Sequence, residues 1–298
     1  MPPRPWSIIH PADWGFKVSV CLALACNGGD SIITVCDKKV DFGDYSADRT
    51  AVKNISFGKS ALALFAGNEV EHADPIIERA YDISRKVGKF TVCEIADAVD
   101  FAYGETIHKE ITKKVLRKRG FDVDTFRDKG KQKCTPSAYL SLCNRIDQVS
   151  VSLRFLVCGF DDENGSLTPG YSPAHIYSVD GESEPKNYDR IGMWAIGSGA
   201  NSAMSWLAYH ADKGHFSKHS SLPVATYFAL TAKFMAESSG GVGRATFTII
   251  LEKGREFSYV TDKGVEEIRD FWEKQGSPPL PPNLDGEVGP KIVYSDDL

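Results

Sequence analysis

The sequence VSVCLALACNGGDSIITVCDKK, residues 18–39, decides how this chain begins to fold. Two runs of small or β-branched apolar residues, 18–26 and 31–36, flank the turn Asn27-Gly28-Gly29-Asp30. An Asn-Gly pair between such runs is a strong signal for a β-hairpin. Neither run alternates cleanly between apolar and polar residues, which indicates strands that are covered on both faces. The stretch therefore predicts a sheet with further layers, expected to be helices, packed around it.

Composition restricts the classes of function. The chain has 298 residues, of which 42% are hydrophobic and 25% charged, so it can bury one large core. A net charge of -5 lacks the basic character typical of nucleic-acid binding. We find neither an apolar run of membrane-spanning length nor a secretory signal, and we expect no nucleic-acid or membrane partner.

The seven cysteines are scattered along the chain, and no Cys-x-x-Cys or His-x-x-x-His pair suggests a metal site. Cysteines in apolar runs are typical of reduced, buried thiols. The sequence therefore predicts a cytoplasmic protein without a metal or cofactor.

Several short motifs follow the hairpin in a fixed order. Asp37 ends the second strand, Lys53 follows sixteen residues later, and Gly67 follows fourteen residues after that. In the second half, Gly197-Ser198-Gly199 lies at a predicted strand-to-helix junction, where glycines permit a tight turn and leave backbone N–H groups free. Ser239-Gly240-Gly241 precedes the last predicted strand pair.

Taken in this order, these motifs resemble a proteasome-type subunit. That family of N-terminal-nucleophile (Ntn) hydrolases includes proteasome β subunits and the bacterial HslV peptidase. The spacing of Asp37, Lys53 and Gly67 matches the family pattern, and the resemblance covers about residues 18–260. It implies an α+β fold, a four-layer αββα sandwich with two antiparallel sheets between helix layers. The predicted order of strand pairs and helix pairs supports such layers independently.

We expect one domain with two extensions. Residues 1–17 are an extended, Pro-rich N-terminal arm, residues 18–264 are the domain, and residues 265–298 are a Pro-rich C-terminal tail. Helices are predicted at 73–87 and from about 91 to 116, the second with a Thr91/Glu94 capping box. Residues 117–148 are basic and polar and look like an insertion, with one short helix at 139–144.

The resemblance implies roles for particular residues. In the family, the first residue of the mature chain attacks an amide carbonyl, and its free amine or a bound water takes the hydroxyl proton. Lys53 would stabilise the ionised nucleophile, and Asp37 would pair with Lys53 in a direct ion pair. The N–H of Gly67 would stabilise the oxyanion. Ser198 and Ser239 match supporting polar residues around the amine.

The nucleophile falls on Ser19 or on Cys21. Hairpin register with two extra turn residues gives Ser19, whereas counting back from Asp37 without an insertion gives Cys21. Both would point to the same face of the strand. Ser19 is preferred because the four-residue turn accounts for the extra residues.

The sequence departs from the family pattern at three positions. No Thr opens the first strand, and Val18 rather than Gly precedes Ser19. Ala236 stands where an acidic residue is expected, with Glu237 beside it.

With residues 1–18 attached, the nitrogen of Ser19 lies in a peptide bond and the family mechanism cannot run. We therefore expect a proteasome-like subunit that is inactive as the full chain and acts as an assembling scaffold, forming a homo-oligomer, either a ring or a dimer. The alternative is a peptidase, activated by removal of residues 1–18, that acts on peptide or protein substrates. A third possibility is an amidase for small molecules.

Overall fold

The computed structural model describes residues 19–41, 46–47, 53–85, 91–161 and 173–275. This part of the chain is mixed α+β and contains two five-stranded antiparallel sheets and several helices. The N-terminal arm predicted at 1–17 lies outside the described residues, as does the tail beyond residue 275.

The strands, in chain order, are β1 (Val20–Cys26), β2 (Ser31–Asp37), β3 (Val40–Asp41), β4 (Ser46–Ala47), β5 (Asn54–Phe57), β6 (Ala61–Gly67), β7 (Leu153–Phe160), β8 (Ala174–Val179), β9 (Lys186–Asn187), β10 (Met193–Gly197), β11 (Thr246–Glu252) and β12 (Ser258–Tyr259). The first sheet has the order β10-β1-β2-β11-β12, and the second has the order β5-β6-β7-β8-β9. All pairings in both sheets are antiparallel.

The α-helices are α1 (Ala73–Arg85), α2 (Val92–Ile111), α3 (Val123–Lys133), α4 (Pro136–Ile146), α5 (Ala200–Asp212), α6 (Leu222–Ala236) and α7 (Asp262–Gln275). Shorter 3₁₀ turns lie at Asn27–Gly29, Val70–His72 and Arg117–Arg119, and a π-helical turn at Thr112–Leu116 extends α2. None of the helices in the described ranges combines the length and apolar character needed to cross a membrane.

The opening hairpin forms as its turn predicts. Cys26 pairs with Ser31, and the chain reverses through Asn27 and Gly28, both with positive φ (52° and 70°). Asn and Gly tolerate this left-handed region at the least steric cost, which is why the turn sits on them. Every residue of β1 and β2 is buried, so the prediction that both faces of the hairpin are covered is confirmed.

Strand β1 shows how one sequence serves two cores. Its large residues Val20, Leu22 and Leu24 pack with α5, α6 and α7, whereas the residues between them, Cys21 and Ala23, face the second sheet. Alternation follows from the two-residue period of a strand. Small residues on the inner face let the two sheets approach each other, because little side-chain volume separates them.

Three clusters make up most of the core. One contains residues from both sheets and none from a helix, so the sheets face each other across it. A second lies between the first sheet and α5, α6 and α7. The third lies between the second sheet and α1 and α2. The two sheets therefore pack face to face, and each carries helices on its opposite face.

Helix α2 begins where the sequence predicts. The Thr91 side chain accepts from the Glu94 N–H at 3.2 Å, and the Glu94 carboxylate accepts from the Thr91 N–H at 2.9 Å. Each side chain satisfies a backbone N–H that the first turn of a helix leaves without a partner. The predicted capping box is confirmed.

The basic segment 117–148 differs from the expectation of a single short helix. It contains two helices, α3 and α4, capped by Asp122 and Thr135, whose side chains accept from Thr125 N–H and Ala138 N–H. A small separate cluster that includes Phe121, Phe126 and Leu142 holds them together. Because α3 buries only Phe126 and Gly130, its apolar stripe is too thin to be read from the sequence.

Helix α7 extends the domain past the predicted boundary. The predicted tail begins at Val265, but Val265 and Arg269 are 3% and 2% exposed and pack within the domain. The boundary at 264/265 therefore falls inside a helix whose apolar residues complete the core beside α6.

Candidate active site

The predicted site residues lie where strands of the two sheets end side by side. Ser19 immediately precedes β1, and Asp37 is the last residue of β2, so both belong to the first sheet. Lys53 immediately precedes β5, and Gly67 ends β6, so both belong to the second sheet. Because Ser19 has the same parity as Cys21 and Ala23, it falls on the face of β1 that is turned to the second sheet.

Asp37 and Lys53 form a direct ion pair. The Lys53 Nζ lies 3.0 Å from each carboxylate oxygen of Asp37, and the two side chains are 2% and 0% exposed for Lys53 and Asp37. The predicted contact is confirmed. A buried charge is tolerated only when it is paired and hydrogen-bonded, and each partner satisfies this condition for the other.

The Asp37 carboxylate is held from several directions. Oδ1 accepts from the Val20 N–H at 2.8 Å, and Oδ2 accepts from the Lys39 N–H at 3.1 Å and the Gly243 N–H at 3.3 Å. Three backbone donors and one ammonium group leave this carboxylate little freedom to rotate. Lys53 is consequently anchored to a fixed point.

Ser19 completes the cluster, because the Lys53 ammonium group donates a hydrogen bond to Ser19 Oγ. The Ser19 carbonyl accepts from Ser198 Oγ at 3.3 Å and from the Gly199 N–H at 3.2 Å. Ser19 has φ of 129°, which L-residues rarely adopt, and it is 2% exposed. Residues with a strained backbone are found most often at functional sites. Ser19 has such a backbone, and its buried hydroxyl lies beside a paired ammonium group.

Cys21 does not share this environment. Its thiol donates to the Phe65 carbonyl at 3.2 Å, and burial raises the pKa of the Cys21 thiol well above its usual value. Desolvation disfavours the thiolate, which is the nucleophilic form of cysteine. The geometry therefore places Ser19, and not Cys21, against Lys53.

The Gly67 N–H, the predicted oxyanion donor, points away from the neighbouring strand β7. Asn68 N–H donates to the Ser152 carbonyl and Phe65 N–H to the Lys53 carbonyl, so alternation along β6 turns the Gly67 N–H away from β7. A Cβ on Gly67 would lie 2.1 Å from the Ser152 carbonyl oxygen. Glycine is required here because the backbone of the neighbouring strand leaves no room for a side chain.

Of the two supporting serines, the structure brings one to Ser19. Ser198 Oγ bridges the carbonyls of Ser19 and Gly240, at 3.3 Å and 3.2 Å. Ser239 Oγ instead lies 2.9 Å from Ser202 Oγ of α5. Ser239 thus contributes to the turn that Ser198 contacts, and its hydroxyl pairs with the helix that follows Ser198.

A cavity of about 160 Å³ opens beside the ends of β6 and β10. Its lining includes Gly67 and Gly197, together with the charged residues Arg154 and Glu182. A Cβ on Gly197 would lie 2.3 Å from the Ser19 carbonyl oxygen, so the cavity borders the Ser19 backbone. The described residues contain no group of three His, Cys, Asp or Glu side chains arranged to hold a metal ion.

Sequence reasoning missed three charged residues behind Asp37. Lys233 is 0% exposed, Arg269 is 2% exposed, and both contact Glu237, which was noticed only as the neighbour of Ala236. The available signals were a lysine within the apolar run of α6 and the four-residue spacing between Lys233 and Glu237.

The sequence matches no model of a known protein family, and a search of curated proteins finds no match.

Proposed function

We propose that this chain adopts the four-layer αββα architecture of the Ntn hydrolases and is a latent, proteasome-like amide hydrolase whose nucleophile is Ser19. The contact of Lys53 with both Asp37 and Ser19 Oγ carries the proposal. The two face-to-face sheets with helices on their outer faces support the architecture.

The chemistry needs a free α-amine on Ser19. That amine, directly or through a water, takes the proton from Ser19 Oγ as the oxygen attacks the amide carbonyl carbon. Lys53 stabilises the developing alkoxide, and the Gly67 N–H stabilises the oxyanion of the tetrahedral intermediate. The protonated amine then gives its proton to the leaving nitrogen as the C–N bond breaks. Water hydrolyses the resulting ester and releases Ser19.

The chain with residues 1–18 attached lacks the base that this mechanism requires. The Ser19 nitrogen is then an amide, and the Lys53 ammonium group, held by Asp37, has no lone pair with which to accept a proton. General-base catalysis is typically worth about 10²–10⁴ in rate, so the full chain is expected to be nearly silent. Activation therefore consists of cleavage between Val18 and Ser19.

The alternative is a subunit that has lost catalysis and serves as an assembling scaffold. A buried ion pair adds little to stability compared with well-packed apolar residues, so a scaffold gains little by keeping one. The pair at Ser19 is therefore better explained by catalysis than by stability. Peptides and small-molecule amides both contain the amide carbonyl that the site requires. Both classes of substrate are therefore tested.

The deciding experiment compares the full chain with a chain whose first residue is Ser19, on a panel of fluorogenic peptides and simple amides. We expect hydrolysis only from the Ser19-first chain, and we expect Lys53→Ala to abolish it. Lys59→Ala is the matched control, because the Lys59 side chain is 81% exposed and contacts only the surface residue Glu256 among the contacts described.

Two results would overturn the proposal. One is a folded Ser19-first chain that hydrolyses nothing on the panel, which favours the scaffold. The other is full-length protein, shown intact by mass spectrometry, that cleaves substrates at a rate unaffected by Lys53→Ala. Intact mass also reports whether the purified protein has already lost residues 1–18.

A further inference from the structure

Three charged side chains meet behind the Ser19 site, the buried Lys233 and Arg269 and the partly buried Glu237. Lys233 of α6 donates to Glu237 Oε1 at 2.5 Å. Arg269 of α7 donates to both oxygens of Glu237, at 2.7 Å and 2.8 Å, and its guanidinium carbon lies 3.9 Å from the centre of the Phe234 ring. This group, the Lys233–Glu237–Arg269 cluster, joins α6 to α7 through a bidentate contact of the kind for which arginine is suited.

The cluster holds the backbone just before β11. Lys233 Nζ donates to the carbonyls of Gly243 and Arg244, at 2.8 Å and 2.7 Å, and Arg269 donates to the same Arg244 carbonyl at 3.2 Å. With Glu237, Lys233 has three acceptors for its three N–H bonds, so its ammonium group is fully satisfied. A fully satisfied buried charge fixes the position of each group that it contacts.

The segment so held reaches the site directly. The Gly243 N–H donates to Asp37 Oδ2 at 3.3 Å, and the same oxygen accepts from Lys53. Burial lowers the pKa of Lys233, while Glu237 and, more weakly, Asp37 act in the opposite direction. Asp37 is therefore within electrostatic range of Lys233 as well as joined to it through the backbone.

Stability alone is a poor reason for this arrangement. Removing charged groups from water is costly, and apolar side chains of similar size often stabilise a core equally well or better. Besides the Phe234 ring and the exposed Glu266 carboxylate, which lies 3.8 Å from Arg269 Nε, the groups that the cluster contacts are the backbone carbonyls of 243–244. The cluster therefore fixes the position of residues 243–244 beside Asp37.

We propose that Lys233, Glu237 and Arg269 are positioning residues for Asp37: they fix residues 243–244 so that the Gly243 N–H orients the Asp37 carboxylate, and through it Lys53. The inference deepens the proposed function and rests on it for the catalytic role of Asp37. It also makes α7, at the far end of the described chain, part of the support of a site that opens at Ser19.

The first test is amide hydrogen exchange in the full chain, which needs no catalytic activity. In Lys233→Met we expect exchange at the Gly243 amide to rise by at least about tenfold, while the amides of Ile33 and Val35 in β2 keep their protection. Lys263→Met is the matched control, because Lys263 lies on α7 with its side chain 86% exposed. Unchanged exchange at Gly243 in folded Lys233→Met overturns the proposal.

A second variant covers the case in which Lys233→Met does not fold. Arg269→Lys keeps the charge of the cluster but loses the bidentate contact with Glu237, and we expect a smaller rise of about threefold at Gly243. No change there, in a folded Arg269→Lys protein, contradicts the inference equally.

The last test uses enzyme activated by removal of residues 1–18. We expect Arg269→Lys and Lys233→Met to lower kcat by about tenfold or more with KM unchanged, since orientation of Lys53 matters most in the transition state. Titration of the active fraction excludes simple loss of folded protein. Faster amide exchange at Gly243 with an unchanged kcat would contradict the positioning role. An inactive parent enzyme instead counts against the proposed function and leaves the exchange result standing.

Discussion

The ammonium group of Lys53 lies 3.0 Å from both carboxylate oxygens of Asp37, although the two residues stand at the ends of strands in different sheets. The pair therefore joins the two sheets at the end where Ser19 begins β1. The same packing of the two sheets places the positively charged Lys53 ammonium group against the Ser19 hydroxyl.

Breaking this pair is expected to destabilise the fold strongly. Lys53→Met leaves the fully buried Asp37 carboxylate without its counter-ion, and the expected loss is about 3–5 kcal/mol in the free energy of unfolding, measured with urea. Adding Asp37→Asn to this variant should recover part of the loss, because the buried charge is removed. A loss below about 1 kcal/mol for Lys53→Met would contradict the buried pair.

Gly197 is expected to be far less replaceable than a glycine in open space. Its φ is 95°, and an added Cβ would lie 2.3 Å from the Ser19 carbonyl oxygen, so Gly197→Ala should cost about 2–6 kcal/mol through strain and overpacking. Gly254 has φ of 73° with nothing within 4 Å, and Gly254→Ala should cost only about 1–2 kcal/mol. If chemical denaturation gave equal losses of unfolding free energy for the two variants, the close approach of the Ser19 carbonyl to Gly197 would be contradicted.

The cysteines offer a direct check on the choice of Ser19 over Cys21. Burial raises the pKa of Cys21 well above its usual value and that of Cys26 to about 12, whereas Cys93 is exposed. Iodoacetamide at neutral pH should therefore label Cys93 in the native protein and leave Cys21 unmodified, as read by peptide mass spectrometry. Labelling of Cys21 ahead of Cys93 would point to an activated thiol and against the Ser19 assignment.

His175 is expected to make stability depend on pH. Burial acts to lower the pKa of His175, but the hydrogen bond to Asp189 at 2.7 Å and the charges of Asp189 and Asp161 outweigh it, so the pKa is raised. A raised pKa means that the stabilisation is fully present below the unfolded-state value of about 6.5 and is lost as pH rises through the folded-state value.

The matching measurement compares His175→Gln with the parent protein by thermal denaturation across pH. The variant should lose more stability at pH about 6 than at pH about 9, since only the protonated imidazole pairs with both carboxylates. His108→Gln, at an exposed position on α2, serves as the control. A difference that does not vary with pH would mean that His175 is not charged in the folded state.

We also expect the protein to form homo-oligomers, as its resemblance to proteasome-type subunits predicts. Sedimentation equilibrium at micromolar concentration should give a mass above that of one chain, 32.7 kDa. A single species at the monomer mass would argue against both the ring and the dimer.

Much of the fold could be predicted from local pattern. The Asn-Gly turn, the Thr91/Glu94 capping box and the predominantly apolar β1 and β2 each indicate backbone geometry within a few residues, and the hairpin and the helix start lie where these patterns predict them. Helix α4 was predicted in part, as the short helix at 139–144. Helix α3 and the continuation of the domain through α7 were not predicted, because few of their described side chains are buried.

The candidate site also has features that the sequence predicts and features that only the packing of the two sheets decides. The sequence by itself determined that Asp37 ends a strand and that Lys53 and Gly67 follow at a particular spacing, since strand ends and turns are set by neighbouring residues. Ser19 and Cys21 could not be separated in this way, because residues two apart on a strand share a face. Only the packing of the second sheet, which brings Lys53 to Ser19 Oγ and the Phe65 carbonyl to Cys21, made that choice.

Tertiary structure alone also assembled the Lys233–Glu237–Arg269 cluster. Lys233 lies on α6 and Glu237 directly follows that helix, so their four-residue spacing could be paired from sequence, but Arg269 lies 32 residues beyond Glu237 on another helix. Whether a charged side chain is buried, and which carbonyl it meets, depends on how helices and sheets pack. Local sequence patterns do not predict such contacts between residues that lie far apart in the sequence.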